Sequence, residues 1–173
     1  MLRPLWLLSV LMIFGFSAGA ATPYKRTLAV KKNEYMRDGV FTGGVAGKGS
    51  SLLGVRRQYS AKRQIERVVL DIGDHEAKAG KQGYFQVALD SSANRLVVDF
   101  AQLKSSRISE PQLRQMFKQS PFVKDVALTM DPEDQAGTLV LDLKRPVRLE
   151  VFQMRGKGKA PRVVLDMMPA GKG

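Results

Sequence analysis

Four times in 173 residues the chain repeats one five-residue phrase: Arg67-Val-Val-Leu-Asp71, Arg95-Leu-Val-Val-Asp99, Thr138-Leu-Val-Leu-Asp142 and Arg162-Val-Val-Leu-Asp166. A repeated phrase implies a repeated structural unit, and it constrains the fold before any single residue does. Three aliphatic residues rich in valine, set between a polar residue and an aspartate, suit a β-strand. Side chains alternate across a strand, so Val68, Leu70 and Ile72 share one face while Arg67, Val69 and Asp71 share the other. The same parity separates Leu96, Val98 and Phe100 from Arg95, Val97 and Asp99, and it holds for the other two phrases. One face is wholly apolar and belongs to a core. The other carries a guanidinium (threonine once), a valine and a carboxylate, four times over.

The aspartates of successive phrases stand 28, 43 and 24 residues apart, which groups the phrases as two pairs joined by a longer connector. Each pair has the same attendants. An alternating stretch precedes it (Leu52 to Tyr59, then Phe122 to Met130), and another lies between its phrases (Tyr84 to Leu89, then Val147 to Phe152). These spacings predict a mainly β fold of two duplicated, roughly four-stranded antiparallel half-sheets, Leu52 to Phe100 and Phe122 to Met167, with consecutive strands as antiparallel neighbours. The connector predicts one short helix from Ser109 to Lys118. Ser109 caps it, Gln112 stands three residues on as in a capping box, and Pro111 falls in the first turn. Leu113, Met116 and Phe117 make a core-facing stripe, and Pro121 stops the helix.

The flanks differ in character. Residues 1–20 combine Arg3, an apolar run from Leu5 to Phe16 and the small residues Ser17 to Ala20, the pattern of a cleavable secretory signal peptide. A run of about a dozen is too short for a membrane span of roughly 20 residues, so export with no stable membrane insertion after cleavage is expected. Residues 21–51 are rich in lysine and glycine without a sustained period, and predict a flexible basic arm. The β domain is expected over 52–169 and a short tail over 170–173. The chain holds 28 Lys and Arg against 16 Asp and Glu, a net charge of +12, and the stretch from Thr22 to Glu66, arm included, holds ten basic residues against three acids. Such an arm engages anionic polymers or lipid non-specifically; export disfavours nucleic acid as the partner.

With no cysteine and a single histidine, thiolate chemistry is excluded and a metal site loses its usual ligands, so neither a metal nor a cofactor is expected. His75 sits in a polar turn, Gly73-Asp-His-Glu76, that reads as an exposed loop, and Gly156-Lys-Gly-Lys159 reads as a hairpin tip. The phrase aspartates share a face with arginines, which favours their charged form and suits them poorly as general acids. No enzyme is expected. The repeated face then has two readings. Arginine of one phrase can meet aspartate of another as cross-strand glue, each exposed pair being worth a few tenths of a kcal/mol. Alternatively Arg67, Asp71, Arg95, Asp99, Arg162 and Asp166 form a platform for an extended polar ligand, since arginine binds carboxylates bidentately and aspartate accepts from hydroxyl, amide or ammonium groups.

The four phrases in this order, the paired four-strand halves and Ser120-Pro-Phe-Val123 resemble the AMIN domain, the non-catalytic module found at the amino termini of N-acetylmuramoyl-L-alanine amidases and type IV pilus secretins. The resemblance covers roughly Ser51 to Pro169. It implies a two-sheet β fold in the periplasm that binds peptidoglycan and localises envelope machinery. Unlike the common arrangement, the sequence here continues only a few residues past Asp166, so a free-standing wall binder is expected. An assembly factor that docks an envelope protein (amidase, secretin or pilus component) is the alternative.

Overall fold

Every phrase is part of a strand. The computed structural model describes residues 34–73, 82–154 and 160–171. In chain order the strands are β1 (Gly39–Gly43), β2 (Ser50–Ser60), β3 (Ile65–Gly73), β4 (Phe85–Asp90), β5 (Arg95–Phe100) and β6 (Leu103–Ser106). Helix α1 (Glu110–Phe117) follows, then β7 (Val123–Asp131), β8 (Ala136–Leu143), β9 (Val147–Met154) and β10 (Arg162–Pro169). The phrases occupy β3, β5, β8 and β10. Two five-stranded sheets result, in the orders β1-β4-β5-β8-β7 and β6-β2-β3-β10-β9. All pairings are antiparallel except β2 with β6.

The mainly β architecture with one connecting helix is as the sequence predicts, but the partition of strands is different. Neither half forms a sheet of its own. Each gives one hairpin to each sheet: β2-β3 and β9-β10 build one, β4-β5 and β7-β8 the other. The exchange joins the halves by backbone pairing in both sheets, through β3 with β10 and β5 with β8, and the two apolar faces meet between them. The core is accordingly a single cluster that takes Val68, Leu70 and Ile72 from one sheet and Leu96, Val98 and Leu139 from the other.

The duplication is visible in fine detail. Phrases pair with each other across the halves, Arg67 to Asp71 lying opposite Asp166 to Arg162 and Arg95 to Asp99 opposite Asp142 to Thr138. The two preceding strands carry a bulge at the same place: the register slips between Leu52 and Gly54 against β3, and between Val123 and Asp125 against β8. Their hairpin turns end alike, with Gln64 and Gln135 both in the left-handed region at φ 50° and 51°. Asp71 and Asp142 are therefore equivalent positions in their sheets.

Helix α1 forms as its capping sequence predicts. The Gln112 side-chain oxygen accepts a hydrogen bond from the Ser109 backbone N–H at 2.8 Å, and Leu113 and Phe117 are buried in the core. Its other contact is with β7, where Arg114 reaches Asp125 at 2.6 Å and the Leu128 N–H donates to Glu110 at 3.2 Å. Those bonds occupy groups on one edge of the sheet.

The expected arm, 21–51, needs correction where it is described. From Met36 it is ordered: Met36 bridges Leu149 on β9, and Gly39–Gly43 pair with β4 as β1. Partial burial of Met36 and Phe41 against the core explains the order, a gain invisible in a lysine- and glycine-rich composition. Ser50 and Ser51 already belong to β2. The expected signal peptide, the arm before residue 34, His75 and the Gly156–Lys159 tip lie outside the described residues.

Candidate functional site

The six candidate residues do not form one platform. Arg67, Asp71, Arg162 and Asp166 lie on the outer face of the β6-β2-β3-β10-β9 sheet, whereas Arg95 and Asp99 lie on the outer face of the other, with the core between them. Each is also engaged within the chain. Arg67 donates two hydrogen bonds to Asp166, at 2.6 and 2.7 Å. Asp71 accepts from Arg162 at 3.1 Å and from Arg56 at 2.9 Å. Arg95 donates to Asp142 at 2.9 Å, and the Thr138 hydroxyl donates to Asp99 at 2.7 Å. Cross-strand glue is thus present at every phrase.

The two outer faces differ sharply in solvent access. On the first, the register aligns Phe152, Val164 and Val69 in one row and Glu150, Asp166 and Arg67 in the next. Phe152, Val164, Glu150 and Asp166 are all buried, although Phe152 and Val164 do not belong to the core cluster. Arg67 closes over the Phe152 ring, 5.7 Å from its centre. Its hydrogen bonds to Asp166 raise its pKa further above the usual guanidinium value. The Asp166 side chain has 0% of its surface exposed and that of Arg67 41%, so this pair is a packed structural element.

The face of β1-β4-β5-β8-β7 stays open. Its register draws three level rows across the strands. One is polar: Thr42, Gln86, Asp99, Thr138 and Thr129. The next is aliphatic: Val40, Ala88, Val97, Val140 and Ala127. The third is ionic: Asp90, Arg95, Asp142 and Asp125. Val40 is 59% exposed, and Arg95 and Asp142 retain 52% and 42% of their side-chain surface. Five strands at a spacing of about 4.8 Å, with rows about 7 Å apart, make a continuous field of mostly short side chains.

Two carboxylates of the ionic row, Asp90 and Asp125, are held in their charged form. Asp90 lies below the usual carboxylate range because the Ser92 hydroxyl and the Ala93 N–H donate to it, and Asp125 does so because the Val126 N–H and Arg114 donate to it. Such groups accept hydrogen bonds well and take up protons poorly. Among the described residues, no group of three His, Asp or Glu side chains is placed to hold a metal ion.

Thr138 and Asp142 belong with this face as much as Arg95 and Asp99 do, and the repeated phrase contains both. Asp90, Asp125 and Thr42 were harder to assign from sequence. Asp125 follows a bulge that resets the strand parity, and Thr42 sits in the stretch that composition marks as arm.

One polar cluster was legible from parity alone. Glu66 shares the inward face with Val68 and Leu70 and is fully buried at the end of the core. It is bonded to Arg57, and the Ser120 hydroxyl donates to it at 2.7 Å. Arg57 also donates to the Gln119 carbonyl at 2.9 Å and Lys144 to the Ser120 carbonyl at 2.6 Å, tying the end of α1 to both sheets. Its role is to close one end of the core.

Compared with protein-family models and with curated proteins, the chain matches none. No helix among the described residues is long and apolar enough to cross a membrane.

Proposed function

We propose that this protein is an exported, non-enzymatic module of the bacterial cell envelope that binds peptidoglycan on the open outer face of the β1-β4-β5-β8-β7 sheet. The observation that carries the reading is the continuity of that face: polar, aliphatic and ionic rows run unbroken over neighbouring strands and remain accessible, while Glu150, Phe152, Val164 and Asp166 at matching positions of the other sheet are buried. A continuous field that crosses five strands suits an extended polymer better than a small molecule, whose sites are concave. The signal-like residues 1–20 and the resemblance to the AMIN domain support the envelope as the place of action and the wall as the ligand. Asp90 and Asp125, held charged by the groups that donate to them, support a face that accepts hydrogen bonds from a ligand.

Sedimentation with purified wall sacculi tests it. The protein should pellet with sacculi in moderate salt and stay in solution without them. Protein left in the supernatant at all salt concentrations would favour the assembly-factor reading instead.

A further inference from the structure

The open face has a charge opposite to that of the whole chain. The protein carries +12, yet the outward positions of this sheet hold Asp90, Asp99, Asp125, Asp131 and Asp142 against Arg95, with Lys124 in the bulge. A surface built only to hold an anionic polymer would have the reverse sign. The outer face of the other sheet is close to balance, with Arg56, Arg67, Arg148 and Arg162 against Asp71, Glu150 and Asp166.

Resting on the wall-binding reading above, we propose that the part of the wall this face recognises is the stem peptide, through its free ammonium groups and its alanine methyls, rather than the glycan strand. Charge complementarity carries the ammonium half of the proposal. Asp142 keeps nearly half of its side-chain surface in solvent, and Asp99 accepts only a neutral hydroxyl, from Thr138. Both can accept from a cation without unfolding any part of the sheet. The aliphatic row carries the other half. Its valines and alanines lie half-buried or exposed in a strip one side chain wide, with room for methyl groups and none for a large ring to insert. The rows stand about 7 Å apart, so an extended peptide lying along the aliphatic row brings a diamino acid side chain within reach of the carboxylates on either side.

Acetylating the free amines of purified sacculi tests this in a way that separates it from the parent reading. Removing positive charge makes the wall more anionic, so a protein held there only by its net positive charge should bind acetylated sacculi more tightly. The proposal expects the opposite: the fraction pelleted falls tenfold or more. The double variant Asp99→Asn/Asp142→Asn, checked for an unchanged melting profile, should show the same loss on untreated sacculi. Sacculi stripped of their stem peptides should not retain the protein. Equal or tighter binding to acetylated or peptide-free sacculi would overturn the stem-peptide proposal and leave wall binding intact. If untreated sacculi fail to retain the wild-type protein, both fall.

Discussion

The pairs Arg67·Asp166 and Thr138·Asp99 occupy equivalent places in the two sheets, related by the internal duplication, and they have diverged in opposite directions. One is a bidentate ion pair whose carboxylate is out of solvent, on a face where Phe152 and Val164 are buried too. The other is a single hydroxyl bond on an open face. The same phrase therefore stands in two settings: on one outer face its carboxylate is buried in an ion pair, and on the other its Asp142 and Arg95 stay half in solvent. Duplication supplies the two copies, and a few differing positions set how open each face is.

The largest effect should come where the two halves differ most deeply, at the closed end of the core. Arg57 and Glu66 correspond by register to Leu128 and Gly137 of the other half. Arg57→Ala leaves the fully buried Glu66 carboxylate without its guanidinium, and chemical denaturation should show a loss of about 3 to 5 kcal/mol. A loss below about 1 kcal/mol would mean that water reaches Glu66.

Arg67→Ala comes next. It removes two charge-assisted bonds from a buried carboxylate and should cost about 3 kcal/mol. The equivalent Thr138→Ala should cost about 1 kcal/mol. The sequence alone treats the phrase arginines as a uniform set of exposed pairs; similar costs for these two variants would restore that view and break the contrast between the faces.

Arg95→Ala should change stability by less than about 0.5 kcal/mol, because its pair with Asp142 is half-exposed on both sides. A larger loss would mean that the open face is also structural glue.

The smallest effect is that of acid. Asp90, Glu110 and Asp125 titrate below their ordinary values in the folded chain, so each contributes stability that is complete above the ordinary carboxyl value and is lost as pH falls through its lowered folded value. All three belong to the sheet with the open face or to the helix on its edge. The melting temperature should decline as pH drops below about 4, and Asp90→Asn should flatten that decline.

Much of this was legible in the sequence because it depends on local parity. The strand phrases, the inward Leu70 and Val98, the outward Arg95 and Asp99, and the capping box at Ser109 are all fixed by spacings of two or three residues. Pairing is a different matter. That the phrase at Arg67 meets the one at Arg162, 95 residues away, rather than the nearer one at Arg95, depends on which arrangement buries both apolar faces at once, and no short-range pattern encodes it. Strand β1 was hidden for a related reason: Gly39–Gly43 has little apolar content of its own and gains its order by extending a sheet already formed. The difference between the faces was out of reach too, since the phrases that build them are nearly the same.

The claim that the open face works while its counterpart only holds the fold is most directly tested by backbone-amide NMR during titration with soluble, stem-peptide-bearing wall fragments. The account predicts shifts concentrated at Thr42, Val97, Asp99, Thr138 and Val140, with Val69, Arg67, Val164 and Asp166 unmoved. Shifts centred on the latter group, with the former silent, would contradict it.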